Sequence, residues 1–160
     1  MIDQFKQWMA DNSALSQNSI YKYARRQWNL VDNPELCYHW LGDFDREMLK
    51  VIKSEKNFNK TPVQEIWHND GDQVLAFMRG DLVFVFNFSP TQSFTDYGFL
   101  VPTGSYDVVL NTDSKDFGGF GFADDSVTHI TNYDPLYVGD HKEWLKLYIP
   151  ARSAVVLKKN

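Results

Sequence analysis

The 160-residue chain is 43% hydrophobic and carries a formal net charge of −5. That hydrophobic share supports a packed core and excludes wholesale disorder, while the acidic balance excludes nucleic acid or an anionic membrane surface as the main partner. The longest apolar run, Leu82–Phe86, is far too short to span a bilayer.

The length fits one domain with a small appendage. The opening stretch, MIDQFKQWMADNS, has no basic region followed by an apolar one, so no secretory leader is expected. A single cysteine, Cys37, cannot close an internal disulfide, and a reduced cytoplasmic setting fits it. Aromatic residues are abundant, with 12 Phe, 8 Tyr and 5 Trp. They favour strands and bury large areas, and exposed ones offer flat faces on which the C–H face of a sugar ring can pack.

In chain order, the apolar period changes once, near residue 60, from helical spacing to strand spacing. Ile2, Phe5, Trp8 and Met9 share one face of a short N-terminal helix. Asp32 or Asn33 is placed to cap a second helix, with Pro34 in its first turn and Glu35 just inside. Cys37, Trp40, Leu41, Phe44, Met48, Val51 and Ile52 continue at i, i+3/4, i+7, and Gly42-Asp43 is expected to break this run into two helices. Glu47 and Lys50 are spaced for an exposed ion pair of little energy.

From residue 64 the pattern is that of hairpins. Strands are expected over Gln64–Asn69, Gln73–Met78, Leu82–Phe88, Ser105–Asn111, Ser126–Thr131, Trp144–Pro150 and Ala154–Lys158. Asp70-Gly71 supplies the first tight turn. The run LVFVFNF is apolar on both faces towards its middle and belongs in the centre of a sheet. Ser89–Leu100 and Thr112–Asp125 read as the longest irregular parts. The fold class is mainly β, an antiparallel sandwich preceded by N-terminal helices. The boundary falls between a helical segment over 1–58 and an all-β domain over 59–160.

At YARRQW (Tyr23–Trp28) the chain closely resembles the C-terminal region of 1,4-α-glucan (glycogen) branching enzymes of the α-amylase superfamily, in particular the eukaryotic type. The agreement continues through Leu30, Asp32, Leu36, Tyr38, Leu41 and Phe44-Asp45-Arg46 with Met48. It resumes at Ala76-Phe77, at FVFNF followed by Pro90, and at Ser93 with Thr95-Asp96-Tyr97. It closes with Phe117–Gly119 and YIPARSAVVL (Tyr148–Leu157). The resemblance implies a (β/α)8 catalytic barrel followed by an all-β C-terminal domain. Residues 20–55 would be the last barrel-associated helices, with Tyr23, Arg25, Arg26, Trp28, Trp40 and Phe44 packing on the barrel. The family's catalytic carboxylates lie in barrel motifs that these 160 residues do not contain. The chain departs from the family at residues 1–19, at Ser89 where the family usually has His, and at the FGF after Gly119.

Retaining glycosyl transfer needs two carboxylates about 5–5.5 Å apart across the scissile bond. Asp43, Asp45 and Glu47 instead read as capping and solvated helix charges, and Asp124-Asp125 as a loop pair that caps the next strand, binds a cation or is simply solvated. His39, His68, His129 and His141 lack metal-ligand spacing. Gly118-Gly119-Phe120-Gly121 is out of context for a phosphate loop and reads as a conformational turn. No catalytic residue, metal or cofactor is assigned. The expected function is a non-catalytic C-terminal portion of a branching enzyme, favoured over the alternative, a stand-alone carbohydrate-binding or scaffold module, because a free module has little use for the helical residues 20–55. Trp67, Tyr97 and Phe120 are the candidate glucan-binding residues, as the sugar platforms of such a module. The expected partners are the catalytic barrel, an α-glucan, and a second copy of the chain through an exposed helical face.

Overall fold

The structure, a computed structural model, describes residues 28–56, 58–133 and 143–160. The helix expected over Ile2–Met9, the side chains of Tyr23, Arg25, Arg26 and Trp28, and His141 lie outside the described residues. The chain divides into two compact units between His39 and Trp40.

In the first unit, α1 (Trp28–Val31) is a single turn of helix. Asn33 follows it with an Asx turn: its Oδ1 accepts from the Glu35 amide at 2.9 Å, and its carbonyl accepts from the Leu36 amide at 3.1 Å. Asn33 thus makes a turn of its own instead of capping a helix that starts at Pro34, and α2 (Tyr38–Ser54) starts only at Tyr38. The expected break at Gly42-Asp43 is absent, for α2 runs through it without interruption. A mid-helix glycine costs about 1 kcal/mol, and several packed apolar side chains outweigh that. Asp43 reaches forward to Arg46 at 2.5 Å instead of capping, and Lys50 pairs with Glu47 at 2.6 Å as expected.

The second unit is a sandwich of two antiparallel sheets. The larger sheet contains β1 (Gln64–Asn69), β2 (Val74–Arg79), β3 (Leu82–Asn87), β5 (Ser105–Asn111), β6 (Thr128–Ile130) and β9 (Ser153–Lys159), in the order β1-β2-β3-β9-β5-β6. The smaller contains β4 (Phe94–Leu100), β7 (Asn132–Tyr133) and β8 (Glu143–Ile149), in the order β4-β8-β7. The LVFVFNF strand is central, between β2 and β9, as its doubly apolar sequence requires.

Two corrections concern the strands. Phe94–Leu100, read as irregular, is β4. Its register against β8 shifts between Phe94 and Tyr97, with Asp96 at φ 52. That bulge sets Phe94 and Tyr97 three residues apart, so the period-two signal is lost. The strand expected over Ser126–Thr131 is only the short β6, and β7, just beyond it at Asn132–Tyr133, is an additional strand that belongs to the other sheet.

Between the sheets lie Val74, Ala76, Val83, Val85 and Leu157 from the larger sheet, against Phe99, Leu145, Leu147 and Ile149 from the smaller. Each such side chain contributes about 1.5–3 kcal/mol when fully buried. Tyr106 crosses this core with no exposed surface, and its hydroxyl donates to the Pro102 carbonyl four residues upstream at 2.5 Å. Buried Asn87 ties strand ends together: its Nδ2 donates to the carbonyls of Gln92 and Pro150, at 2.8 and 2.9 Å, and its Oδ1 accepts from the Ser89 amide at 3.0 Å. On the outer face of the larger sheet, α2 sets Phe44, Met48 and Val51 over Leu82, Leu110 and Val156. Glu55, just past α2, accepts from Lys158 on β9 and fixes that end of the layer.

Candidate functional site

Trp67 and Tyr97 are thirty residues apart in sequence and lie on different sheets, β1 and β4. A register shift in β1 between Glu65 and Trp67 accompanies the placement of the indole. The Trp67 Nε1 donates to the Tyr97 hydroxyl at 3.1 Å, and that hydroxyl donates to Asp72 Oδ2 at 2.8 Å. Asp72 in turn accepts from Asn69 Nδ2 at 2.9 Å. Both donors of the pair are thereby used within the protein, and the Tyr97 ring is wedged against Phe94 and Phe99 at centroid distances of 5.1 and 5.3 Å. Burial pushes the Tyr97 phenol above its ordinary value. The hydrogen bond from Trp67 opposes this and Asp72 adds to it. The hydroxyl keeps its proton across the physiological range. Trp67 leaves 38% of its surface open, which is an indole face locked in direction and available to an apolar or C–H surface.

Phe120 lies elsewhere, in the loop between β5 and β6. Because β5 is four strands from β1 in the larger sheet, the loop starts about 19 Å from the Trp67 edge. Asp113, only 6% exposed, organises the loop. Its Oδ1 accepts from the Phe120 amide at 3.1 Å, and its Oδ2 accepts from the Phe122 and Ala123 amides at 2.6 and 3.3 Å. Its carbonyl also accepts from the Gly121 amide at 2.7 Å. The loop therefore holds Phe120 and Phe122 as a stacked pair, 5.4 Å apart and 19° from parallel, with 76% and 65% of their surfaces exposed. Phe122 escaped the sequence reading. The signal that could have found it is the F-G-F pattern across Gly121, whose φ of 68 turns the chain so that both rings can face one way.

Trp40 and Phe44 engage the base of this same loop. The Phe44 ring meets Phe117 edge-on at 5.4 Å and 88°. The Trp40 indole covers Gly118, at φ 77, so closely that a Cβ there would collide with it. Among the described residues, no group of three His, Cys, Asp or Glu side chains is close enough to hold a metal ion. Within the same residues, no helix is long and apolar enough to cross a membrane.

Comparison with known proteins bears on this arrangement. The chain is 39% identical over 152 residues to the 1,4-α-glucan-branching enzyme of Saccharomyces cerevisiae, which takes in 94% of this chain and 21% of that protein. It is 40% identical over 153 residues to the enzyme of the same name from Emericella nidulans, covering 94% of this chain and 22% of the relative. The enzyme of Dictyostelium discoideum is 38% identical over 146 residues, covering 90% and 21%. The chain thus spans about a fifth of the length of these relatives and matches their C-terminal portion. Residues 66–160 match the family described as Alpha amylase, C-terminal all-beta domain, the sandwich that carries both aromatic sites. The chain therefore belongs to the α-amylase C-terminal all-β domain family.

Proposed function

We propose that the chain is the non-catalytic C-terminal portion of a 1,4-α-glucan branching enzyme, one that transfers α-1,4-glucan chains into α-1,6 branches in glycogen synthesis. In this reading it supports the catalytic barrel and contacts the glucan, in a cytoplasmic setting. The observation that carries the proposal is the tiling: 94% of this chain falls on 21% of a branching enzyme, with the all-β domain coinciding with the observed sandwich. The barrel's partner surface is the helical segment up to residue 58, with Tyr23, Arg25, Arg26 and Trp28 at its start. With Phe44, Met48 and Val51 turned to the sheet, the α2 side left for a barrel or for a second copy of the chain carries Leu41 and Leu49, 67% and 48% exposed. Trp67, fixed by Tyr97 and Asp72, is the glucan platform at the β1 edge.

Two measurements test the proposal. The chain alone, incubated with amylose and followed by iodine colour, is expected to produce no branching; turnover would refute the non-catalytic assignment. Titration with maltoheptaose is expected to change tryptophan fluorescence, and Trp67→Ala to abolish most of that change. The absence of any response at millimolar ligand would remove the platform.

A further inference from the structure

Under the Phe120–Phe122 loop the sandwich is open. A cavity of about 190 Å³ runs in between the two sheets at this point. Its floor is core: Val108 and Val155 from the larger sheet and Leu147 from the smaller. Phe122 forms one wall, and Asp124, Asp125 and His129 are at the mouth. The register of β5 against β9 shifts between Val108 and Leu110 at this place, so the consecutive residues Val109 and Leu110 both pack on the α2 side, while Val108 packs against the inter-sheet core. Bulges of this kind re-aim side chains beside binding sites.

The mouth is held in shape from below. Asp125 Oδ1 accepts from Asn111 Nδ2 at 2.6 Å, and Asp124 Oδ1 accepts from the Ser126 amide and hydroxyl at 2.9 and 2.6 Å. Each carboxylate has about four lone-pair sites, so both remain able to accept from a ligand. Burial lowers the His129 pKa, an effect that Asp107 opposes, and the imidazole is neutral at pH 7.

These features select a ligand class. No Lys or Arg lines the cavity, and two carboxylates at the mouth repel anions. The apolar floor and aromatic wall suit a ring with a C–H face. The oriented acceptors suit a ring with several hydroxyl donors. Size sets the number of rings: pockets for drug-sized ligands run to about 300–1,000 Å³, so this one takes a single ring and not a chain lying along it. We propose that the cavity under Phe122 is a hexose subsite, taking one pyranose ring of an α-glucan end-on. One face of the ring packs on Phe122 and its hydroxyls donate to Asp124 and Asp125. The choice of an α-glucan rests on the function proposed above. The site itself is separate from the Trp67 platform.

The test is a heteronuclear NMR titration of the whole chain with maltotriose, reading the Phe122 and Ala123 amides, the His129 ring and the Trp67 indole separately. The loop and His129 resonances are expected to shift saturably. Phe122→Ala, at an exposed position, is expected to weaken that binding at least tenfold, and Trp67→Ala to leave it unchanged. Asp125→Asn serves as a second variant, expected to weaken binding several-fold while keeping the fold. Loop and His129 resonances that stay still at millimolar maltotriose overturn the subsite. If the Trp67 indole moves in the same experiment, the platform survives without it. If only the loop shifts, the subsite stands and the platform falls. Loop shifts produced by calcium chloride or glycerol and not by maltotriose would also overturn the subsite.

Discussion

Replacing Asp113 with alanine removes the acceptor of three backbone amides, those of Phe120, Phe122 and Ala123, at 3.1, 2.6 and 3.3 Å. A hydrogen bond to a charged group is worth about 1.5–3 kcal/mol, so a simple sum of three would reach about 4.5–9 kcal/mol. The sum overstates the cost, because all three amides belong to a surface loop whose neighbours Phe120 and Phe122 are mostly exposed. Once the carboxylate is gone the loop can open and let water take its place. What is then lost is the buried seat of Asp113 and the order of the loop, and a loss of about 3 kcal/mol is expected, below the summed range and at the upper end for a single such bond. For a chain of this size, that lowers Tm by roughly 6–12 °C. Asp113→Asn can turn its remaining oxygen to the Oδ2 position and keep the Phe122 and Ala123 bonds, presenting its NH2 group to the Phe120 amide. It should cost about half as much as the alanine variant. Urea unfolding measures both, and amide exchange at Phe120, Phe122 and Ala123 locates the loss. An alanine variant within about 0.5 kcal/mol of the parent, with those amides still protected, would refute the argument that this side chain templates the loop.

A pair of glycine substitutions separates backbone strain from crowding. Gly80 and Gly118 both have positive φ, 64 and 77, but a Cβ at Gly80 meets nothing within 4 Å whereas one at Gly118 runs into the Trp40 ring. Gly80→Ala should cost about 1 kcal/mol, and Gly118→Ala at least about 2 kcal/mol more, from displacing the indole; equal costs in thermal melts would show that Trp40 is not seated there. The His129 pKa gives a pH dependence whose direction is fixed. Burial holds the folded-state value below the ordinary 6.5, so the unfolded chain takes up the proton first as pH falls. The contribution is complete above about pH 6.5 and is lost below it. His129→Gln should therefore flatten part of the stability loss on acidification, and an unchanged profile would contradict the burial.

The hairpins β1-β2-β3 of the larger sheet were readable from sequence because Asp70-Gly71 and Gly80 mark their turns and Leu82–Asn87 is apolar on both faces. β4 was not, since a bulge and a left-handed Asp96 break the alternation on which such reading depends. Helix α2 was broken at Gly42 on local propensity, yet tertiary packing of Phe44, Met48 and Val51 decides the matter. At the sites, the aromatic residues could be named singly. Their pairing could not, because the Trp67–Tyr97 bond crosses from one sheet to the other and Phe122 gains its meaning only from a buried carboxylate nine residues before it. Trp40 and Phe44 show the same limit: spacing placed them on an apolar helix face, and only the fold reveals that this face meets Phe117 and Gly118.

The position of β9 has a consequence for biosynthesis. Residues Ser153–Lys159 pair with β3 on one side and β5 on the other, so the sheet's midline is filled by the strand translated last among those described. Until it emerges, β1-β2-β3 and β5-β6 are two separate fragments, each with an unpaired inner edge. Pairing across such long sequence separation is slow, and open edges of this kind recruit other chains. A nascent chain stalled before Ser153 should therefore be held by chaperones or aggregate, however well its first three strands are formed. Loss of β9 would be far more damaging than loss of an edge strand of equal length.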